Sequence, residues 1–166
     1  MTDLSHFDPD GRPRMVDVSE KLPTRRRAAA AGYLEVGPAF VGALETGSSR
    51  KGDPWSVARL GAIQGVKRTS DLIPLAHPLA VDAVLVEHHW DPACRRAWLR
   101  VEVLVESRTG VEMEALTGVA TGLLTLYDML KALGHEMSLG PVRLLLKEGG
   151  RRGTVTQSWP DAPWKK

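Results

Sequence analysis

One cysteine, Cys94, stands in 166 residues, so no intrachain disulfide can staple this chain, and it suits a reducing compartment. Phenylalanine and tyrosine number two each, too few to furnish the stacking platform of an RNA-binding sheet. The formal charge is only +2 at pH 7, which argues against bulk electrostatic binding of nucleic acid. No uninterrupted apolar run approaches the ~20 residues of a membrane span, and the first residues lack the apolar core of a secretion signal. GxxxxGKS/T phosphate loops, GxGxxG turns, and HExxH or CxxC metal spacings are missing as well. What these gaps leave is an expected cytoplasmic, globular protein with no nucleic acid, no membrane, no metal and no cofactor among its partners.

The composition that remains is ordinary for a folded chain, 43% hydrophobic and 25% charged, in a length that fits one domain with a real core. The clearest element is the stretch 109–134. Leu116, Val119, Leu123, Leu126, Leu130 and Leu133 recur at steps of three and four, which predicts one long helix with a continuous apolar stripe. Gly118, Thr121, Gly122 and Thr125 form a second, smooth stripe. Glycine costs ~1 kcal/mol relative to alanine inside a helix. Two of them one turn apart therefore predict close approach of another backbone, and a second copy packed antiparallel is the expected neighbour. Glu112 and Glu114 stand at the start of this helix and Asp128 and Lys131 near its finish; Glu114 and Asp128 are about 21 Å apart along the axis. These end charges also have a local reading, as carboxylates at the positive end of the dipole and as an i,i+3 ion pair.

The rest of the chain supplies a sheet. Residues 1–14 carry Pro, Gly and Asp without periodicity and predict a flexible end; residues 15–18 predict a short edge strand. In 24–36 an alanine run competes with a β-rich end, and the reading is strand. Pro38 opens a short helix that closes before Gly47. Asp53-Pro54 marks the cap and first position of a longer one, with Val57, Leu60, Ile63 and Val66 inward and Lys67-Arg68 at its end. Two prolines stiffen 71–79 and leave His77 on a rigid apolar loop. Residues 81–88 and the alternating 99–105 make a hairpin, Pro141 introduces a last strand, and 154–166 reads as a second flexible end. Strand, two helices, hairpin, long helix, strand is a β-α-β-β-α-β plan. The expected class is α+β: a ferredoxin-like sandwich, an antiparallel sheet with helices packed on one face, in a single domain over 1–166.

Lys51, Lys67, Lys131 and Lys147 fall near element ends or on the last strand. Singly each is an ordinary solvated lysine. Together with Arg26 they would suit a polyphosphate, which is held by several point charges and donors. His77 fits either a structural role or contact with a substrate. His88 and His89 are neighbours on a strand, so they face opposite ways and cannot converge on a metal.

Six segments then carry a resemblance: MVDV (15–18), KGD (51–53), DLIPLAHPL (71–79), TGVEMEALT (109–117), YDM (127–129) and GPVRL (140–144). In this order, over residues from about 4 to 153, the chain resembles the MoaC family. That family usually has a cysteine before the loop histidine, where this chain has Ala76; the change is expected to leave the chemistry alone. The resemblance implies a phosphorus–oxygen lyase of molybdenum cofactor biosynthesis. Its substrate would be 3′,8-cyclo-7,8-dihydroguanosine 5′-triphosphate, converted to cyclic pyranopterin monophosphate with release of diphosphate. It also implies catalytic roles for Asp128, Lys51 and Lys131. Substrate contacts are implied for Asp17, Arg26, Lys67, Leu75, Ala76, His77, Glu112, Met113, Glu114 and Lys147. The implied assembly is a homo-oligomer, a hexamer as trimer of dimers, with pockets at subunit interfaces.

The residue types agree with that chemistry. Lysines crowded by other cations have depressed pKa values and exchange protons near neutrality. Glu112 and Glu114 could accept hydrogen bonds from a guanine-like edge, with Met113 against the ring. An RNA-binding module is the first rival, weakened by the scarcity of aromatics. A nucleotide-sensing oligomer is the second; it uses the same charges, and diphosphate release separates it from an enzyme.

Overall fold

In the computed structural model, which describes residues 7–8, 10–150 and 153–164, a long strand, β1 (Thr24–Val36), runs through the middle of the molecule. Its four alanines, Ala28 to Ala31, are at most 1% exposed. Pairing on both sides overrides their helical propensity: β1 is antiparallel to β3 (Arg96–Ser107) on one edge and to β4 (Met137–Glu148) on the other. The hairpin partner β2 (Ala83–Asp91) and the two-residue β5 (Val155–Thr156) complete a five-stranded antiparallel sheet in the order β2-β3-β1-β4-β5. Without β5 this is the strand order of a ferredoxin-like sandwich, as the sequence predicts. The helices are α1 (Val41–Thr46), α2 (Pro54–Lys67), α3 (Thr69–Leu72) and α4 (Glu112–Leu130).

The long helix lays its apolar stripe on the sheet. Val119, Leu123, Leu126 and Leu130 are fully buried, and Gly32 of β1 lets them in: a Cβ there would stand 2.9 Å from Val119 and 3.1 Å from Leu123. The regular helix ends at Leu130, and a 3-10 turn, Lys131–Leu133, takes the chain on.

The smooth stripe is covered, but by α2 of the same chain and not by a second copy. A Cβ on Gly61 would collide with Thr125, and one on Gly65 with Thr121. Gly118 lies under Val66 (2.7 Å to its missing Cβ) and Gly122 under Ala62 (3.0 Å). The expectation of an intermolecular contact is overturned because α2 carries its own small stripe, Ala58, Gly61, Ala62 and Gly65, complementary to that of α4. The same packing corrects the inward face of α2. Trp55, Ala58, Ala62, Gly65 and Val66 are buried, Val57 and Ile63 only half so, and Leu60 is 65% exposed.

Two further expectations change. Residues 15–18 form no strand; they run extended past the His77 loop. β4 begins before Pro141, which sits opposite Tyr33 at a shift of register, where a missing N–H breaks no ladder bond. Of the expected flexible ends, residues 1–6, 9 and 165–166 lie outside the described residues. Residues 155–164 lie across the open face of the sheet, where Trp159 meets buried Trp98 edge-on at 5.0 Å and Arg143 stands 4.6 Å over its ring. On that face too, Glu102 takes hydrogen bonds from Arg27 and Arg100, both at 2.7 Å. Burial disfavours its charge, but the two arginines outweigh that and hold its carboxyl below the usual range.

Thr121 cannot easily swing away from Gly65, since its Oγ1 lies 2.8 Å from Thr117 O within its own helix. Gly65→Ala should therefore destabilise the protein by about 1–3 kcal/mol through overpacking, against the ~1 kcal/mol that alanine gains in helix propensity. Urea unfolding measures this; an unchanged or raised midpoint would mean that α2 and α4 are not this close.

Candidate active site

The two helices run antiparallel, so the start of α2 lies beside the end of α4 and the reverse. Polar side chains gather at both ends of the pair.

At the first end, Asp53 caps α2 by accepting the Trp55 N–H at 2.9 Å, and Lys51 sits just before it. Lys51 Nζ donates to Asp128 Oδ2 at 3.1 Å and to the main-chain oxygen of Asp128 at 2.8 Å. Lys131 Nζ lies 2.6 Å from Asp128 Oδ1. One carboxylate thus bridges two ammonium groups. The Asp128 carbonyl belongs to the last turn of α4, where carbonyls run short of helical donors, so Lys51 also caps the negative end of the dipole. The hydrogen bond from Lys131, then that from Lys51, holds the Asp128 carboxyl below the ordinary range. In return the hydrogen bond to Asp128 raises Lys131. The expectation of lysines depressed by crowding cations is corrected for Lys131, because its nearest charge is a carboxylate. The side chains of Lys51, Lys131 and Asp128 are 39%, 51% and 55% exposed, so a ligand can reach all three.

At the other end, the 73–79 loop, the extended segment around Val16 and the start of α4 enclose a cavity of about 380 Å³. Leu75, Ala76, His77, Glu112, Met113 and Glu114 all line it, so the structure brings together six of the expected contact residues. His77 Nε2 is 2.9 Å from Val16 O; a carbonyl only accepts, so Nε2 donates and ties the extended segment to the loop. Glu114 is 4% exposed and has no ion-pair partner among the described residues. Burial pushes its carboxyl pKa up, its own main-chain N–H opposes that, and neighbouring Glu112 adds to the rise.

The remaining expected contacts lie around this end without lining the cavity. Asp17 accepts the Ser19 N–H at 2.8 Å, and that bond lowers its pKa. Arg26 is buried at 8% exposure, donates to Ser107 O at 3.2 Å, and borders a separate recess of about 430 Å³ with Arg25 and Arg27. Lys147 is half-buried on β4 opposite Ala28, and Lys67 is exposed where α2 ends. Lys21, Thr109 and Gly110 line the cavity and were not singled out. Thr109 and Gly110 open the TGVEMEALT segment, which was their signal; Lys21 sits in an irregular turn with none.

A family model described as MoaC family matches residues 15–150. A protein named cyclic pyranopterin monophosphate synthase, from Cereibacter sphaeroides (strain KD131 / KCTC 12085), is 48% identical over 158 residues, covering 95% of this chain and 99% of its own. One of the same name from Pelobacter propionicus (strain DSM 2379 / NBRC 103807 / OttBd1) is 45% identical over 150 residues, covering 90% of this chain and 94% of its own.

Glu114 offers a test of the cavity's electrostatics. A raised pKa means that the folded chain holds this proton more tightly than the unfolded one. Below its ordinary value of 4.5 the group therefore carries no penalty, and stability falls as pH climbs from there through the raised value. Glu114→Gln removes that loss, so its gain in Tm over the parent should grow from acid pH to neutrality. A gain that does not change with pH would contradict a buried, titrating Glu114.

Proposed function

The chain belongs to the MoaC family, and from that premise we propose that it makes cyclic pyranopterin monophosphate in molybdenum cofactor biosynthesis. Its substrate is 3′,8-cyclo-7,8-dihydroguanosine 5′-triphosphate, and the product leaves with release of diphosphate. The reaction is that of a phosphorus–oxygen lyase: a sugar hydroxyl attacks the α-phosphorus, its proton passes to a base, and the bond to the diphosphate oxygen breaks. The observation that carries the reading is the exposed trio Lys51–Asp128–Lys131.

In this trio both lysine nitrogens pair with the Asp128 carboxylate. That fits them to hold phosphate oxygens and to give protons to nitrogen or oxygen atoms of the opening ring. Asp128 stays ionised and fixes the two against each other. Glu114, buried and with its carboxyl pKa raised, is suited to exchange a proton with the guanine-derived ring, beside Glu112, Met113 and His77. Arg26, Lys67 and Lys147 supply further cations at that end, Leu75 and Ala76 complete its wall, and Asp17 stands beside it.

Glu114 and Asp128 lie about 21 Å apart on one helix, too far for one small substrate to touch both within a chain. A site that uses both ends therefore draws them from two chains. This supports a homo-oligomer, with the contact elsewhere than on the α4 stripe that α2 covers; the hexamer, a trimer of dimers, is what the resemblance adds. No helix among the described residues is long and apolar enough to cross a membrane, and a cytoplasmic location is part of the proposal.

Diphosphate release from the cyclised triphosphate is the test. The parent should turn over, and Lys51→Ala, Lys131→Ala and Asp128→Asn should each lower kcat by about a hundredfold or more. Their Tm should change little, because half-exposed side chains contribute little to stability. A parent that binds the triphosphate without releasing diphosphate would be a sensor, not an enzyme. For the shared site, inactive Lys51→Ala and inactive Glu114→Ala proteins should regain part of the activity when their subunits are exchanged. A monomer by light scattering that is fully active would sink the shared site.

A further inference from the structure

Lys51 reaches Asp128 from a four-residue turn, Ser49 to Gly52, between α1 and α2. The main chain ties its ends twice: Ser49 N–H donates to Gly52 O, and Gly52 N–H to Ser49 O, both at 3.0 Å. The Ser49 side chain then fills the inside of the loop. Its hydroxyl donates to Gly52 O at 2.8 Å and accepts the Lys51 N–H at 3.2 Å. Among the described residues, no other side chain bonds to the main chain of this turn. Gly52 has φ +104° with nothing near its missing Cβ, so glycine is needed there for its backbone and not for space.

The ammonium of a lysine stands at the end of a long flexible stem, and it is placed only as well as its main chain is placed. The Lys51 main chain is fixed from its own side by one hydrogen bond, from its amide N–H to Ser49 Oγ. At the far end Nζ must meet two oxygens of Asp128 together.

We propose that Ser49 is a positioning residue for Lys51: its hydroxyl locks the turn from which Lys51 reaches Asp128, and so sets the geometry of the trio. This rests on the reading of Lys51 as a catalytic group. Ser49 itself touches neither Asp128 nor Lys131, and its effect on the reaction passes through Lys51.

The test uses the full-length protein with Ser49→Ala, Ser49→Thr and Lys51→Ala, reading diphosphate release, Tm and oligomer size. Ser49→Ala should lower kcat about ten- to a hundredfold, the range expected of a misplaced catalytic group. KM, Tm and oligomer size should stay close to those of the parent. Ser49→Thr keeps the hydroxyl and should restore most of kcat. Parental kcat in Ser49→Ala, beside an inactive Lys51→Ala, overturns the proposal. So does a loss that Ser49→Thr fails to restore, or one that comes with a matching fall in Tm, since the serine would then be structural. Parental kcat in Lys51→Ala would remove the premise and the proposal with it; that failure is read on Lys51→Ala alone and is distinct from the others.

Discussion

The close contact between α2 and α4 is what the rest of the site depends on. Four glycines, Gly61, Gly65, Gly118 and Gly122, stand where these helices meet or press on the sheet. Each lowers helix propensity by ~1 kcal/mol relative to alanine, so the contact has to return more than that in dispersion and burial. Beyond stability, it fixes register. Thr125 fits against Gly61 and Thr121 against Gly65, and a slide of one turn, about 5.4 Å, would drive larger side chains into each other. That register sets the Asp53 cap beside the last turn of α4, and so allows Lys51 to find Asp128.

The two ends of this pair are electrostatic opposites. At the Lys51 end the charges are paired and open to water, and each partner stabilises the ionised form of the other. At the Glu114 end a carboxyl is buried beside a second carboxyl, and its ionised form is disfavoured. The first arrangement favours the proton on Lys131; the second favours it on the Glu114 carboxyl. Chemistry that both opens a ring and moves phosphate calls for both kinds of group.

Much of this was legible in the sequence, and the parts that were not have physical reasons. Period-two and period-3.6 patterns predict β3 and α4, because those elements bury one regular face. The alanine strand β1 was the harder reading: propensity favours helix, and only pairing on both edges decides it. The face of α2 misled because periodicity assigns large apolar residues to the core, whereas a helix packed on glycine and threonine buries its small ones and leaves Leu60 out. Residues 15–18 have the composition of a strand, but they pair with no strand of the sheet, and His77 takes Val16 instead. In the site, the Lys131–Asp128 pair could be read from its spacing of three. The Lys51–Asp128 bond joins residues 77 apart, so only the resemblance linked them beforehand. The resemblance named the residues of both ends, and helix geometry alone separated them by distance.

Exposure then bears on how such a site works. A half-exposed trio acts weakly on charge in water, where screening is strong. Preorganised charges are effective when water is excluded. On the shared-site reading a neighbouring chain brings its Glu114 end over the trio, with Arg26, Lys67 and Lys147 nearby. Its cations would then oppose the pull of Asp128 on Lys131, and lost solvation would act in the same direction. A depressed Lys131, which the single chain does not have, would thus be a property of the assembly. Asp128 would be needed to hold both lysines in place until the neighbour and the triphosphate arrive, and a freed proton could then move from lysine to substrate.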